Sequence, residues 1–177
     1  SVSNESDKSI IFFGSIDPSK GIDCFIKVID GLECLCHKYT ITMLGRFITY
    51  EYEQAFKDHF KDLIESNRIK FVDYVDISEI GQFLHKFDIG LLPFSHGAAP
   101  NRSSLIALLC AGTCVVTTYK KGVTPSYLEG GVNCILHDPD DAQGMIESIS
   151  LLFDDDNKLN EIKYNAQKLS KTFDWDI

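Results

Sequence analysis

Residues 9–22 have the sequence SIIFFGSIDPSKGI, which combines a strand pattern, a turn and the start of a helix. Ser9 to Phe13 is a short apolar run of strand length, typical of a strand buried on both faces of a parallel sheet. Gly14 to Gly21 is rich in turn residues and ends where a helical pattern begins. The apolar residues that follow recur at helical spacing: Ile22, Phe25, Ile26, Ile29 and Leu32. A strand, a turn and an amphipathic helix in this order predict the first β-α unit of a doubly wound sheet.

The same alternation continues along the chain. Five further strands are predicted, at Thr40 to Leu44, Ile69 to Val72, Asp88 to Leu92, Thr113 to Thr118 and Asn133 to Leu136. The helices between and after them are predicted at Tyr52 to Leu63, Ser78 to Lys86, Arg102 to Ala111, near Ser126, Met145 to Phe153 and Leu159 to Leu169. Right-handed crossovers favour the strand order 3-2-1-4-5-6. We therefore predict an α/β, Rossmann-like domain with a doubly wound parallel sheet of about six strands.

The composition is that of one soluble globular domain. The chain has 177 residues, of which 44% are hydrophobic and 24% charged, so one core is expected. The net charge of -9 disfavours nucleic acid or a polybasic membrane surface as a partner. The polar opening SVSNESD predicts that residues 1–8 are a linker from a longer protein and that residues 9–177 form the domain. No run approaches the roughly 20 apolar residues of a membrane span.

The six cysteines lie in apolar runs and do not form a disulfide framework, which predicts buried thiols in a reducing compartment. Only Cys34-Leu35-Cys36-His37 suggests a metal. This cluster lacks a second ligand pair at the spacing of a zinc site, so core packing is the favoured interpretation. We expect neither a metal nor a cofactor.

Two loops are expected to face each other across the binding crevice. They follow the first and fourth strands, which are neighbours at the point where the winding of the sheet reverses. In the first loop, Lys20 immediately precedes a helix with free amide groups, which suits a phosphate. A plain strand-to-helix turn with a solvated Lys20 fits the pattern equally well. The loop matches neither GxGxxG nor the Walker A motif, which disfavours NAD binding and ATP hydrolysis.

The second loop, residues 93–105, has the sequence PFSHGAAPNRSSL, whose small residues allow a ligand close to the backbone. Asn101 or Ser103 is predicted to cap the following helix. Arg102, Ser103 and Ser104 would then supply a cation, two hydroxyls and unpaired amide groups to a diphosphate. The alternative is a capped helix with Arg102 on the surface. His96 either contacts a sugar hydroxyl or phosphate, or is a bystander.

Acidic residues give weaker signals. Asp17 and Asp88 lie near strand ends and are candidates to accept hydrogen bonds from a ribose or sugar, although such acids are more often local caps. No Ser-His-Asp order, Cys-His pair or twin carboxylate indicates hydrolysis, and no catalytic residue is assigned. Transfer from an activated sugar requires fewer catalytic side chains than hydrolysis, because the protein has only to position the donor and stabilise the leaving diphosphate.

Several stretches resemble the C-terminal, donor-binding domain of GT-B glycosyltransferases, in particular the retaining family named glycosyl transferases group 1. Residues 10–14 with Lys20-Gly21 resemble the opening strand and its G…KG loop, and residues 41–45 resemble the second strand. Residues 87–94 and 105–116 resemble the later helix and strands, and residues 173–175 the motif near the C-terminus. The loops and the resemblance together predict these diphosphate-binding residues: Gly14, Ser15, Lys20, Arg102, Ser103, Ser104 and Leu105.

The resemblance also implies neighbours for the rest of the donor. Residues 69–75 resemble the segment that lies against the nucleobase, which implies Tyr74 and Val75. The predicted ribose or sugar neighbours in the second loop are His96, Gly97 and Ala98. Two departures stand out: the family's Glu-x7-Glu pair falls on Ala99 and Ala107, and its usual arginine falls on Ser15. Those roles are not transferred, and the GAAPNRSSL stretch of residues 97–105 resembles a variant subgroup in which Arg102 replaces the missing cation.

What the resemblance implies is a glycosyltransferase half that is inactive alone. The donor would be a UDP- or GDP-sugar, transferred with retention to a glycan or lipid-linked acceptor held by an absent N-terminal domain, in surface polysaccharide synthesis. Two alternatives stay open: a non-catalytic binding or assembly module of the same fold, and a sugar-nucleotide epimerase. We expect the complete protein in the cytoplasm, either free or bound peripherally to the inner face of the membrane.

Overall fold

A computed structural model of the chain describes residues 7–173. Six strands form one sheet in the order β3-β2-β1-β4-β5-β6, and every neighbouring pair is parallel. The strands are β1 (Lys8–Phe13), β2 (Tyr39–Leu44), β3 (Ile69–Val72), β4 (Ile89–Leu92), β5 (Cys114–Thr118) and β6 (Ile135–His137). The predicted fold class and strand order are therefore confirmed.

Helices cover both faces of this sheet. They are α1 (Ile22–Glu33), α2 (Tyr50–His59), α3 (Lys61–Glu65), α4 (Ile80–His85), α5 (Ser103–Cys110), α6 (Ala142–Asp154) and α7 (Asp156–Ser170), with a 3-10 turn at Pro18–Lys20 before α1. The side chains of α1, α2 and α6 pack on one face, and those of α4 and α5 pack on the other. Helix α7 contributes to both clusters. No helix within residues 7–173 combines the length and apolar character needed to cross a membrane.

The central strands are mostly apolar because both of their faces are covered. In β1, Ile10 and Phe12 enter one core cluster while Ile11, between them, enters the other. All residues of β4 and β5 are buried. Burying one such aliphatic or aromatic side chain contributes about 1.5–3 kcal/mol. The continuous apolar runs in the sequence therefore follow from the position of these strands at the centre of a covered sheet.

Three local predictions need correction. Strand β1 starts at Lys8, so residue 8 belongs to the sheet and not to a linker; residues 1–6 of the predicted linker, and residues 174 and 175 of the C-terminal motif, lie outside the described residues. The helix predicted from Tyr52 to Leu63 is broken at Phe60, whose φ of -102° and ψ of 25° are not helical. No helix forms near Ser126. Residues 121–128 form turns, and the loop behind them closes on the buried Asn133.

The side chain of Asn133 explains both this loop and the late start of β6. Its Oδ1 accepts a hydrogen bond from the Glu129 amide at 2.9 Å, and its Nδ2 donates to the Tyr127 carbonyl oxygen at 2.8 Å. Because Asn133 is engaged in the loop, the strand begins at Ile135 and not at Asn133.

All six cysteines are free thiols, but their burial differs from the prediction. Cys24, Cys114 and Cys134 are buried, whereas Cys34 and Cys36 are exposed. Core packing is therefore the wrong interpretation for these last two, because α1 ends at Glu33 and Cys36 turns the chain with a φ of 57°. Within residues 7–173, no three His, Cys, Asp or Glu side chains are grouped so that they could hold a metal ion.

Candidate functional site

The loops after β1 and β4 meet at the carboxyl edge of the sheet, as predicted. Ser95 Oγ donates a hydrogen bond to the Pro18 carbonyl oxygen at 2.7 Å. Gly21 has a φ of 76°, and a side chain there would overlap the carbonyl oxygen of Pro93. A Cβ on Gly14 would lie 3.9 Å from Ser104 Oγ. The approach of the two loops therefore depends on the absence of a side chain at Gly21.

Asp17 organises the first loop. This buried residue caps the 3-10 turn and accepts hydrogen bonds from the Ser15 hydroxyl at 2.6 Å, from the Ser19 amide at 2.8 Å and from the Ser19 hydroxyl. Burial raises the pKa of Asp17, but these hydrogen bonds outweigh it and hold the pKa below its usual value. Donors within the loop already bind its carboxylate. Of the two roles predicted for Asp17, the local cap is therefore correct.

Lys20 and Arg102 converge on one aromatic ring. Lys20 Nζ lies 5.9 Å, and Arg102 Cζ 4.8 Å, from the centre of the Phe94 ring. Phe94 is buried at the end of β4, so it fixes the point where the two cations meet. Neither cation forms an ion pair with a carboxylate among residues 7–173, and Arg102 Nε is buried without a hydrogen-bond partner there.

The two positive charges influence each other. Burial lowers the pKa of Lys20, the charge of Arg102 lowers it further, and together these outweigh the opposing effect of Asp17. Two like charges held together without a carboxylate are unfavourable in the free protein. An anion bound between them would relieve this repulsion, so the geometry favours a negatively charged ligand.

The start of α5 adds backbone donors beside these cations. Arg102 occupies the N-cap position and makes no side-chain capping bond, so the predicted cap by Asn101 or Ser103 is wrong. The Ile106 amide is the first to bond to the preceding turn, through the Arg102 carbonyl oxygen at 3.1 Å. The amides of Ser103, Ser104 and Leu105 have no acceptor among residues 7–173. An uncapped helix N-terminus presents free donors and a positive dipole end to an anion.

Strand β5 holds the second loop in place. Thr117 Oγ1 donates to the Leu92 carbonyl oxygen and Thr118 Oγ1 to that of Phe94, both at 2.7 Å. The Ala98 amide donates to the Thr118 carbonyl oxygen at 2.8 Å. These buried threonines satisfy the backbone as it leaves β4. In the sequence they indicated only a strand, so their positioning role was missed, and so was the role of Phe94.

The other residues predicted in the second loop differ in what they offer. His96 is exposed, whereas the side chain of Ala98 is packed in the core, so only its backbone is available to a ligand. Gly97 has a φ of 83° and lies against Lys120. Ala99 and Ala107 are half-buried, and neither position carries a carboxylate.

Tyr74 and Val75 follow β3, on the same carboxyl edge but separated from β1 by β2. Tyr74 is 70% exposed, so its ring is free to receive a planar group. Val75 packs partly against the core cluster beneath α4. The structure thus places Tyr74 and Val75 at the same carboxyl edge as Lys20, but towards β3 and away from the centre of the site.

Asp88 is on the wrong edge of the sheet for a ligand contact. It precedes β4, and its Oδ2 accepts a hydrogen bond from the Ser9 amide at 2.9 Å. Its Oδ1 lies 3.8 Å from Lys163 Nζ. The expectation that Asp88 contacts a ribose or sugar is wrong, because a residue at the amino end of a strand faces away from the crevice.

The structure also assembles a Ser-His-Asp arrangement that the sequence did not predict. His137 Nε2 lies 2.7 Å from Ser148 Oγ, and His137 Nδ1 lies 3.3 Å from Asp141 Oδ2. Ser148 is inside α6, where its amide belongs to the helix and is not free to stabilise an oxyanion. The arrangement therefore joins β6 to α6 and does not indicate hydrolysis.

Comparisons with known proteins agree with this architecture. The family described as "Glycosyl transferases group 1" matches residues 1–169. A search of curated proteins finds no match. The C-terminal domain of LpcC, a glycosyl transferase group 1 family protein from Francisella tularensis, has a TM-score of 0.79 and 20% identity, covering 93% of this chain and 85% of that one.

Two longer proteins are similar to this chain over part of their length. HepE from Anabaena, in complex with UDP-glucose, has a TM-score of 0.78 and 22% identity, covering 94% of this chain and 44% of HepE. A mutant of S. aureus TarM, in complex with Fondaparinux, alpha-GlcNAc-glycerol and UDP, has a TM-score of 0.76 and 16% identity, covering 92% of this chain and 32% of TarM. This chain therefore spans less than half the length of these two proteins.

Proposed function

The chain belongs to the glycosyl transferases group 1 family, and we propose that within this family it forms the domain that binds the nucleoside diphosphate sugar donor. The observation that carries the proposal is the convergence of Lys20 and Arg102 on Phe94, beside the uncapped start of α5. A pyrophosphate supplies two negative charges and several acceptor oxygens. It would neutralise both cations and accept hydrogen bonds from the free amides of Ser103, Ser104 and Leu105.

This arrangement suits the departure of a diphosphate. In the transition state of glycosyl transfer, negative charge develops on the leaving phosphate oxygen. Cations and amide donors that are already in position stabilise this charge without further reorganisation. Gly14 and Ser15 belong to the same proposed site, because Gly14 brings the backbone of the first loop close to Ser104.

For the remainder of the donor, we assign the nucleobase to Tyr74 and Val75 and the sugar to the His96–Ala98 segment. HepE was solved with UDP-glucose and TarM with UDP, which supports UDP as the first nucleotide to test, with GDP as the alternative. The exposed ring of Tyr74 offers a flat surface for a base.

The proposal extends to the complete protein. A second domain would hold the glycan or lipid-linked acceptor, and transfer would proceed with retention in surface polysaccharide synthesis. Neither a metal nor a cofactor is part of the proposal, since Lys20 and Arg102 supply the positive charge. The six free thiols support a reducing location such as the cytoplasm. Peripheral association with the inner face of the membrane would fall to the second domain.

One observation favours a second candidate function. Ala99 and Ala107 stand where the family's paired glutamates are expected, so the chain could bind a donor without supporting transfer. In that case it would act as a binding or assembly module. Incubating the complete protein with a radiolabelled donor and a cell-derived acceptor separates the two functions, because only a transferase labels the acceptor.

Calorimetric titration with UDP and GDP tests donor binding directly. We expect one of them to bind, and Lys20→Gln and Arg102→Gln each to weaken binding about 10- to 100-fold, as expected for a lost charge-assisted contact. Lys38→Gln is the matched control, because Lys38 is exposed at the amino edge. A folded chain that binds neither nucleotide, or variants that bind as tightly as the parent, would refute the proposal.

A separate titration tests the base position. Tyr74→Ala should weaken UDP or GDP binding about fivefold through lost stacking, while leaving the affinity for inorganic pyrophosphate unchanged. Tyr164→Ala, on the exposed face of α7, should change neither affinity. Equal loss of pyrophosphate binding in Tyr74→Ala would show that Tyr74 acts through the fold and not through the base.

A further inference from the structure

At the carboxyl edge, the loop after β4 and the first part of the loop after β5 contain no acidic residue. Between Asp88 and Glu129 the sequence contains neither Asp nor Glu, although the chain has 26 such residues and a net charge of -9. This segment carries α5 and the loops after β4 and β5, together with Arg102, Lys120 and Lys121. Both loops therefore form a cationic surface on an otherwise acidic protein.

The loop after β5 lies directly against the second loop of the donor site. A Cβ on Gly97 would be 2.6 Å from Lys120 Cβ and 3.0 Å from the Lys120 amide nitrogen. Lys120 is held in a turn, because its amide donates to Thr124 Oγ1 at 2.9 Å and its carbonyl oxygen accepts from Val123 and Thr124. Within residues 7–173, no carboxylate forms an ion pair with Lys120 or Lys121.

The loop that follows β6 is acidic, but Asp140 and Asp141 within it interact with α1 and α6. Asp141 caps α6 by accepting a hydrogen bond from the Gly144 amide at 3.0 Å. Burial, together with the charges of Asp140 and Asp141, raises the pKa of the Cys24 thiol in α1 to about 11. These two carboxylates therefore act on the α1 and α6 side of the sheet. Asp138, which follows β6 beside the start of the β5 loop, forms no ion pair with either lysine among residues 7–173.

We propose that the sugar of the donor carries its own negative charge, as a hexuronic acid does, and that its carboxylate binds beside His96, Lys120 and Lys121. The inference rests on the proposed function, which places the diphosphate at Lys20 and Arg102 and the base on the β3 side. The sugar then extends in the opposite direction, across β4 towards β5. Neighbouring strands are about 4.8 Å apart, so the β5 loop lies within the length of one hexose.

The charge pattern determines which sugar is favoured. A carboxylate gains attraction from the two lysines and meets no acidic side chain in the segment between Asp88 and Glu129. A neutral hexose gains no such attraction. The pattern therefore selects a uronate through a favourable contact and through the absence of a repulsive one.

Paired donors that differ only at C6 test this inference. With the nucleotide that binds the chain, we compare UDP-glucose with UDP-glucuronate, or GDP-mannose with GDP-mannuronate, by calorimetry. We expect the uronate donor to bind about five- to tenfold more tightly than the neutral one. Lys120→Gln combined with Lys121→Gln should abolish this preference and change the affinity for the free nucleotide less than twofold. Lys38→Gln removes one charge at the amino edge and should preserve the preference.

The outcomes separate the two proposals. If UDP or GDP binds but the uronate donor shows no advantage, or keeps its advantage in the double variant, the acidic sugar is refuted and donor binding stands. If no nucleotide binds, both proposals fail. A last arm titrates the nucleotide-saturated chain with glucose 1-phosphate. Lysine-dependent binding of this separate anion, without a uronate advantage, would assign the cationic surface to a phosphorylated acceptor and overturn the inference.

Discussion

Particular cations at the two edges of the sheet differ in whether a carboxylate pairs with them. At the amino edge, Arg68 forms a bidentate pair with Glu33, with N–O distances of 2.7 and 2.9 Å. Lys8 pairs with Asp156 there, and Lys163 lies near Asp88. At the carboxyl edge, Lys20 and Arg102 meet on Phe94 without a carboxylate partner among residues 7–173.

This difference separates an edge whose charges stabilise the fold from the edge at which we propose that a ligand binds. Each pair at the amino edge joins a helix to the start of a strand or to the residue just before it. These charges are therefore already paired within the protein. The cations at the carboxyl edge repel each other and stay available. Proteins commonly retain such unfavourable arrangements where function requires them, at a small cost in stability.

Gly21→Ala should break the carboxyl edge outright. A methyl group there would overlap the Pro93 carbonyl oxygen, and the φ of 76° is itself unfavourable for alanine. We expect a loss of about 4 kcal/mol or more in the free energy of unfolding, measured by urea denaturation. Gly122→Ala is the matched control, because Gly122 has a φ of 81° in open space and should lose only about 1 kcal/mol. Equal losses would show that the contact between the loops is unimportant.

Removing one arginine from each edge should separate stability from binding. Arg68→Gln leaves Glu33 half-buried with Tyr39 as its remaining donor, so we expect about 1–2 kcal/mol of lost stability and unchanged nucleotide affinity. Arg102→Gln should change the stability by less than about 0.5 kcal/mol while weakening nucleotide binding. Urea denaturation measures the stability of both variants, and calorimetry measures their nucleotide affinity. A destabilised Arg102→Gln with intact binding would reverse the assignment of the edges.

The pH dependence of stability should differ between Glu33 and Lys20. Burial raises the pKa of Glu33, but hydrogen bonds from Arg68 and Tyr39 outweigh it and lower the pKa. Its stabilising effect is thus present above the unfolded value of 4.5 and is lost as the pH falls through the folded pKa. The lowered pKa of Lys20 instead gives a cost that is present below the folded pKa and disappears as the pH rises through it towards 10.5.

Two variants test these signs by denaturation across pH. Relative to the parent, Glu33→Gln should lose less stability on acidification below pH 4.5. The parent should gain stability relative to Lys20→Gln as the pH approaches 10.5, by less than about 0.5 kcal/mol. A parent that loses stability relative to Lys20→Gln in that alkaline range would contradict the depressed pKa.

The smallest expected effect is a proton taken up on binding. A phosphate beside Lys20 favours the charged ammonium and should raise its pKa again. At about pH 9, nucleotide binding should therefore take up a fraction of one proton. The dependence of the binding enthalpy on the ionisation enthalpy of the buffer measures this fraction. Lys20→Gln should show a smaller uptake than the parent, and an equal uptake would assign the proton to another group.

Local patterns in the chain were sufficient to predict much of the fold. The apolar runs of β1, β4 and β5 and the helical spacing of α1 predict parallel strands, their order and the meeting of two loops at the switch point. They mislead where a side chain is engaged by its own loop, as Asn133 is before β6. The roles of Lys20, Arg102 and Tyr74 in binding a donor stay predictions.

The site depends on contacts that no local pattern contains. Phe94 brings together cations that are far apart in sequence, and Thr117 and Thr118 satisfy the loop from the next strand. Asp88, which the sequence placed near the crevice, lies at the opposite edge. The apolar faces can be predicted from the chain alone, because periodicity acts within a few residues. Which charges are paired and which are left free is visible only in the folded protein, because pairing depends on distances across the packed sheet.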